Sequence, residues 1–256
     1  MKAVLLAGGM GTRLREETEY RPKPMVEIGQ RPILWHIMKN LSTQGLFNFV
    51  VCLGYKGDYI KDYFLNYEAR VNDVTVELGA NRGRNQLSNS EETNWIVTLA
   101  NTGLATMTGG RIHRIKKYVE GERFLCTYGD GLADINLPEL IKFHEDHGKI
   151  ATVTAVMPTS RFGAIEIAAD DTVSKFTEKP KGNVWVNGGF FIFEPEIFDF
   201  LTPECVLEDE PLEKLAKMGE LVAYKHDGFW KPMDTYRESI ELNEIWDTGS
   251  APWKNW

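Results

Sequence analysis

A chain of 256 residues that is 43% hydrophobic, 26% charged and 11% aromatic can build a substantial core, which excludes a mainly disordered chain and a disulfide miniprotein. No run approaches the ~18 apolar residues of a membrane span, so no membrane partner is expected. With 29 basic against 37 acidic residues the formal net charge is −8, and no Lys/Arg run points to nucleic acid; an anionic ligand must be held by a few placed cations and helix ends.

Lys2–Ala7 is a short, mostly apolar run, too brief for a secretory signal and suited to a strand covered on both faces. Pro32 then opens a helix whose apolar positions Ile33, Leu34, Ile37, Met38 and Leu41 share one face, ending at Gly45. Phe49–Leu53 reads as the next strand, stopped by Gly54, and a helix carrying Tyr59, Ile60, Tyr63 and Phe64 follows. Strand candidates Val74–Leu78 and Trp95–Ala100 flank Asn81–Asn94, which has Leu87 as its only large apolar residue. That stretch reads as a long structureless loop, either a mobile surface segment or one that closes over a ligand or packs on a neighbouring subunit; composition leaves both open. A helix through Ile112, Ile115 and Val119 precedes the buried strand Phe124–Tyr128, and Pro138 starts a helix with Leu140, Ile141 and His144 that ends at Gly148.

From Ile150 the chain turns β-rich, through Ala151–Met157, Ala164–Ile167, Val173–Phe176 and Val184–Phe193. A helix near Leu212–Met218, a strand near Leu221–Tyr224 and a helix around Tyr236–Trp246 complete it. This alternation predicts an α/β fold: a Rossmann-like, mixed but mainly parallel central sheet flanked by helices, formed by residues 1–256 as a single domain. Cys52, Cys126 and Cys205 form no CxxC pair and are expected to be free thiols in a reducing, cytoplasmic compartment. His144 and His147, at i, i+3, lack a third ligand motif and are expected to pack, while Asp134 and Asp227 fit no motif. Trp253 and Trp256 suggest a buried contact of the tail, including one between subunits, and a homo-oligomer is expected.

The chemistry concentrates in a few segments. Leu6-Ala7-Gly8-Gly9-Met10-Gly11-Thr12-Arg13-Leu14 follows the first strand directly. Three glycines in four positions let amides approach an anion, and the planar fork of Arg13 suits phosphate. It is neither a P-loop, lacking GK[ST], nor a dinucleotide fingerprint, since Leu14 replaces the third glycine. Pro22 and Pro24 stiffen the chain on either side of Lys23. Asp130, between Gly129 and Gly131, could be only a turn former. Gly8–Arg13, Asp130 and Lys179 nevertheless follow predicted strands and Asn187 lies within the next, and open α/β sheets bind ligands beyond the carboxyl ends of their strands.

GGMGTRL followed by PKPM resembles the signature of the sugar-1-phosphate nucleotidyltransferases (nucleotide-diphospho-sugar pyrophosphorylases). The resemblance continues through Tyr128-Gly129-Asp130-Gly131, Arg161-Phe162-Gly163, Glu178-Lys179-Pro180, Asn187-Gly188-Gly189-Phe190-Phe191 and Trp230-Lys231-Pro232-Met233-Asp234, and spans essentially the whole chain. EETEYRPKPMVEIG, NTGLATMTGGR and the APWK tail match the branch that joins CTP to glucose 1-phosphate, with release of pyrophosphate.

The resemblance implies a mainly nucleotide-binding part (1–149) and a mainly sugar-phosphate-binding part (150–256), the latter with smaller β-rich and C-terminal portions. It implies Mg²⁺ as cofactor, held by Asp130 and Asp234. Arg13 and Lys23 become the catalytic cations. Leu6, Ala7, Gly8, Gly9, Gly11, Thr12, Thr108, Gly109 and Gly129 join them around the nucleotide, with Gly109 and neighbouring backbone reading the base. Gly163, Glu178, Lys179 and Asn187 take the sugar phosphate. A phosphate monoester with about −1.5 to −2 charge is already a nucleophile, so no general base is required. Use of UTP or dTTP, a glycosyltransferase, and a non-catalytic sugar-nucleotide sensor are the competing readings; the absence of a DxD at a strand end weighs against the second, and the set Arg13, Lys23, Asp130, Lys179 and Asp234 against the third.

Overall fold

The computed structural model describes residues 1–76, 84–86, 94–159, 164–169, 171–177 and 184–256. Its largest sheet has seven strands: β1 (Lys2–Ala7), β2 (Asn48–Leu53), β3 (Ile96–Asn101), β4 (Phe124–Tyr128), β5 (Ala151–Val156), β6 (Val186–Phe193) and β7 (Leu221–His226), in spatial order β7-β5-β6-β4-β1-β2-β3. Pairing is parallel except for β6, which runs antiparallel to both β5 and β4. All of β1 but Lys2 is buried. Its alternate residues serve two cores: Ala3, Leu5 and Ala7 face one, and Val4 and Leu6 the other. That two-faced burial is why the run is apolar throughout rather than alternating.

On the first face lie α1 (Ile33–Thr43) and α2 (Gly57–Leu65), the expected apolar stripe of α1 packing under Leu5 and Val51. On the second lie α3 (Thr108–Arg114) and, after it, Lys116–Val119. The helix expected through Ile112, Ile115 and Val119 is thus two pieces, broken at Ile115, although all three residues are fully buried as the periodicity requires. α4 (Leu137–His147) begins with Asn136 accepting from the Glu139 amide and ends at Gly148 in the left-handed region. α5 (Glu210–Met218) and α6 (Tyr236–Asp247) follow.

Four further expectations change. The Val74 strand is described only as Val74–Val76 and pairs with Arg84–Gln86 rather than joining the central sheet, so part of the expected loop is a hairpin strand. The remainder of that loop, apart from Asn94, lies outside the described residues. The strand expected from Val184 begins at Val186. Trp253 is buried inside its own chain, stacked on Trp246 and against Phe229, with its carbonyl accepting from Asn40, so it offers no surface to another subunit. The tail aromatics join the core: Trp253 is fully buried in the cluster that holds the α1 stripe, and Trp256 packs against it partly buried.

Topology decides where a ligand fits. The chain leaves β1 toward β2 and β3 on one side, then crosses back to β4 on the other. Loops after β1 and β4 consequently diverge, opening a crevice at the carboxyl ends of those two strands.

Candidate active site

The two loops flanking that crevice are the glycine-rich segment after Ala7 and the Gly129-Asp130 turn, and they are tied where the Gly129 amide donates to the Leu6 carbonyl at 3.1 Å. Gly11 adopts φ +60°, and a Cβ there would lie 2.8 Å from Thr18 and 3.0 Å from the Lys23 Cβ, so the glycine lets the lysine stem run beside the loop. Lys23 itself opens a single 3₁₀ turn, Lys23–Met25, after the extended residue Pro22. Asp234 arrives from the far end of the chain. Trp230–Pro232 pairs antiparallel with Gly131–Ala133, and the Met233 amide donates to the Asp130 carbonyl at 2.8 Å, which sets Asp234 beside Asp130. Immediately after it, Thr235 and Glu238 form a capping box that starts α6, and Glu238 also accepts from the Asp234 amide at 2.8 Å.

The result is one charged cluster. Lys23 Nζ donates to Asp130 Oδ2 at 2.5 Å and to Asp234 Oδ1 at 2.6 Å, while Arg13 Nη1 donates to Asp234 Oδ2 at 2.7 Å. The Lys23 side chain is only 10% exposed, against 75% for Arg13. Burial would depress the lysine, but the charge and hydrogen bonds of Asp130, then of Asp234, outweigh it and hold its pKa above the ordinary value. Lys23 therefore stays an ammonium at neutral pH.

A family model described as nucleotidyl transferase matches residues 2–235. The chain belongs to the nucleotidyl transferase family. Glucose-1-phosphate cytidylyltransferases of Salmonella typhimurium and Salmonella typhi are each 51% identical to it, with 100% of both chains covered. A solved structure of UDP-glucose pyrophosphorylase complexed with UDP-glucose matches in fold, with a TM-score of 0.70 at 18% identity over 97% of this chain and 98% of that one.

In this nucleotidyl transferase Arg13, Lys23, Asp130 and Asp234 meet as the sequence led one to expect. Gly163, Glu178 and Lys179 lie outside the described residues. Asn187 sits on β6, its side chain donating to the Tyr128 hydroxyl at 3.3 Å and accepting from the Gly189 amide at 2.8 Å. Thr108 and Gly109 open α3 beside a cleft of about 510 Å³ lined by residues 103–107. Gly109 is itself buried, and a Cβ there would meet Cys205 Sγ at 2.4 Å, so its bare Cα serves close packing as well. Gly8 likewise makes room for a guanidinium, that of Arg111, rather than for positive φ.

Two residues escape motif reading. Glu208 accepts from the Tyr128 hydroxyl and, at 2.5 Å, from the Thr108 hydroxyl, linking the start of α3 to the Asn187 side of the crevice. Arg111 lies buried under the glycine loop. Glu208 belongs to no quoted motif, and Arg111 closes the NTGLATMTGGR segment, whose resemblance gave the arginine no role. The set-aside residues are structural: His144 Nδ1 meets Thr152 Oγ1 at 2.7 Å, and Asp134 pairs with His226 at 3.0 Å. Cys52 and Cys126 are free and buried, and burial pushes the Cys52 thiol up to about 12.

Proposed function

We propose that the chain transfers a cytidylyl group from CTP to glucose 1-phosphate, forming CDP-glucose and pyrophosphate, as a single domain whose crevice takes both substrates. The observation that carries the transfer chemistry is the meeting of Lys23 with Asp130 and Asp234 at the switch point of the sheet. The cytidine and glucose assignments follow from the full-length relatives that bear those names.

Two polyanions must approach each other, so the task of the protein is positioning and charge neutralisation. In our reading the Gly8–Thr12 backbone and Arg13 receive the triphosphate and steady the departing pyrophosphate. Lys23 neutralises the α-phosphate as charge builds. Leu6, Ala7, Gly129, Thr108 and Gly109 shape the nucleotide side, and Gly163, Glu178, Lys179 and Asn187 the sugar-phosphate side. The phosphate oxygen of the sugar attacks the α-phosphorus in line, needing no proton removed.

Asp130 and Asp234 fit Mg²⁺: one oxygen of each already contacts a single nitrogen atom, a separation that one cation can span. When bound, the metal would supply Lewis-acid charge neutralisation at the phosphates. The two aspartates would hold it, with Lys23 and Arg13 then free to meet phosphate.

The test is pyrophosphate release from CTP, UTP, dTTP, ATP and GTP, each with glucose 1-phosphate and Mg²⁺. We expect turnover with CTP to exceed the others. Preference for UTP or dTTP would remove the cytidine choice, and nucleotide binding without any turnover would make the protein a sensor. Cytoplasmic location and self-association belong to the same proposal, and sedimentation of the purified chain tests the latter.

A further inference from the structure

Arg111, in the first turns of α3, sends a buried guanidinium beneath the glycine loop, the residue being only 4% exposed. Its Nη1 donates to the carbonyls of Leu53 (3.1 Å) and Gly103 (2.8 Å) and to Thr102 Oγ1 (2.8 Å). Its Nη2 donates to the carbonyls of Gly8 (3.0 Å) and Leu104 (3.3 Å). Every one of these acceptors is a neutral oxygen. They stand at the end of β2 and just past the ends of β1 and β3, so one fork pins three strand ends together. Two glycines are spent on it, since a Cβ on Gly8 would lie 2.1 Å from Nη1 and one on Gly54 2.6 Å from the same atom.

The consequence lies in the peptide plane. In a trans peptide the C=O and the following N–H point in opposite directions. With the Gly8 carbonyl held by Arg111 and by the Tyr55 amide (3.0 Å), the Gly9 N–H faces away from the interior, where Gly9 is exposed and has open space around it. A buried charge with no carboxylate partner among the described residues is also an unfavourable way merely to fill space. Its field reaches the loop from below.

We propose that Arg111 is the positioning residue of the nucleotide loop, fixing the Gly8–Gly9 peptide so that its amide faces the triphosphate. This rests on the functional reading above. The test compares wild type with Arg111→Met, Arg111→Lys and Gly54→Ala, by CTP calorimetry, steady-state kinetics in each substrate and thermal melts. Gly54→Ala keeps the arginine but sets a methyl group 2.5 Å from the Gly8 carbonyl oxygen and 2.6 Å from Arg111 Nη1, so the peptide and the fork that holds it must shift.

Kd and KM for CTP should rise roughly ten- to a hundredfold in Arg111→Met, the loss of a charge-assisted contact network. The lysine and alanine variants should fall between it and wild type. KM for glucose 1-phosphate should stay near the wild-type value. Lower melting temperatures with unchanged CTP affinity in the folded variants would make the residue merely structural and overturn the inference; if Arg111→Met does not fold, Arg111→Lys and Gly54→Ala decide. Wild type that prefers another nucleotide defeats the cytidine reading alone, the variants then being read with that nucleotide. Wild type that binds no nucleoside triphosphate defeats both.

Discussion

Lys23→Met removes an ammonium that touches two carboxylates at 2.5 and 2.6 Å and leaves the rest of the cluster in place. The stability cost follows from what each partner keeps. Asp234 retains Arg13 at 2.7 Å, so the loss falls mainly on Asp130, whose side chain is 30% exposed. A half-buried orphaned carboxylate lies between an exposed pair, worth about 0–1 kcal/mol, and a buried one, whose breaking costs about 3–5, which places the penalty near 2 kcal/mol. Turnover should fall further, by about 10²–10³-fold, the usual loss when a group that stabilises transition-state charge is deleted. The double variant Lys23→Met/Asp130→Asn separates the two effects. Neutralising the orphan should restore most of the stability, because the coupling resides in the pair, but none of the turnover. Pyrophosphate release and thermal melts on the three proteins provide the readouts. Turnover in Lys23→Met close to wild type, or recovered in the double variant, would refute the role given to this lysine.

Two further predictions concern the packing behind the site. Trp253 donates its indole N–H toward His36 Nδ1 at 3.4 Å, and because indole only donates, that ring nitrogen must be the acceptor and Nε2–H the donor to the Ile28 carbonyl at 2.9 Å. Burial, as the largest cause, lowers the His36 pKa to about 4. The unfolded chain then binds the extra proton first, so stability present above pH 6.5 is lost as pH falls toward 4, by about 3 kcal/mol. Melting curves from pH 7 to pH 4 should fall more steeply for wild type than for His36→Gln; parallel curves would contradict the assignment. Trp253→Ala, at a fully buried ring, should cost about 3–5 kcal/mol and lower the melting temperature by roughly 10 °C. A drop of only a degree or two would show that the tail is not part of the core.

Most of the sheet was readable because its strands are apolar on both faces, a pattern with little other use in a chain of this composition. The helices α1 and α4 were equally clear, since Pro32, Pro138 and Gly148 mark their ends. The break at Ile115 was not, because Ile112, Ile115 and Val119 keep a helical spacing on either side of it. Lys23 stood out from local chemistry, held between stiff prolines, whereas Asp130 between its glycines read equally as a turn former until the resemblance was added. Asp234 was legible only by resemblance: the short ladder of Trp230–Pro232 on Gly131–Ala133 that delivers it has no periodicity to detect. Arg111 closes the NTGLATMTGGR segment, but its role was hidden for a related reason: apart from the Thr102 hydroxyl its partners are backbone carbonyls, and a carbonyl leaves no trace in the sequence of residues that supply it.

The charge of the whole chain posed a difficulty that the cluster resolves. A protein with a formal net charge of −8 should repel a triphosphate, yet that field is screened over a Debye length of about 8 Å at physiological salt. The cation–carboxylate contacts of the crevice lie under 3 Å, well inside that length. Within the cluster two carboxylates face two cations, so the crevice carries no net charge from these four groups before a ligand enters. A divalent ion taken up from solution onto the carboxylates would make the cluster net positive by two charges. On the proposed reading the acidic surface is no obstacle, since a cation held by Asp130 and Asp234 would supply the positive charge that a basic patch otherwise would.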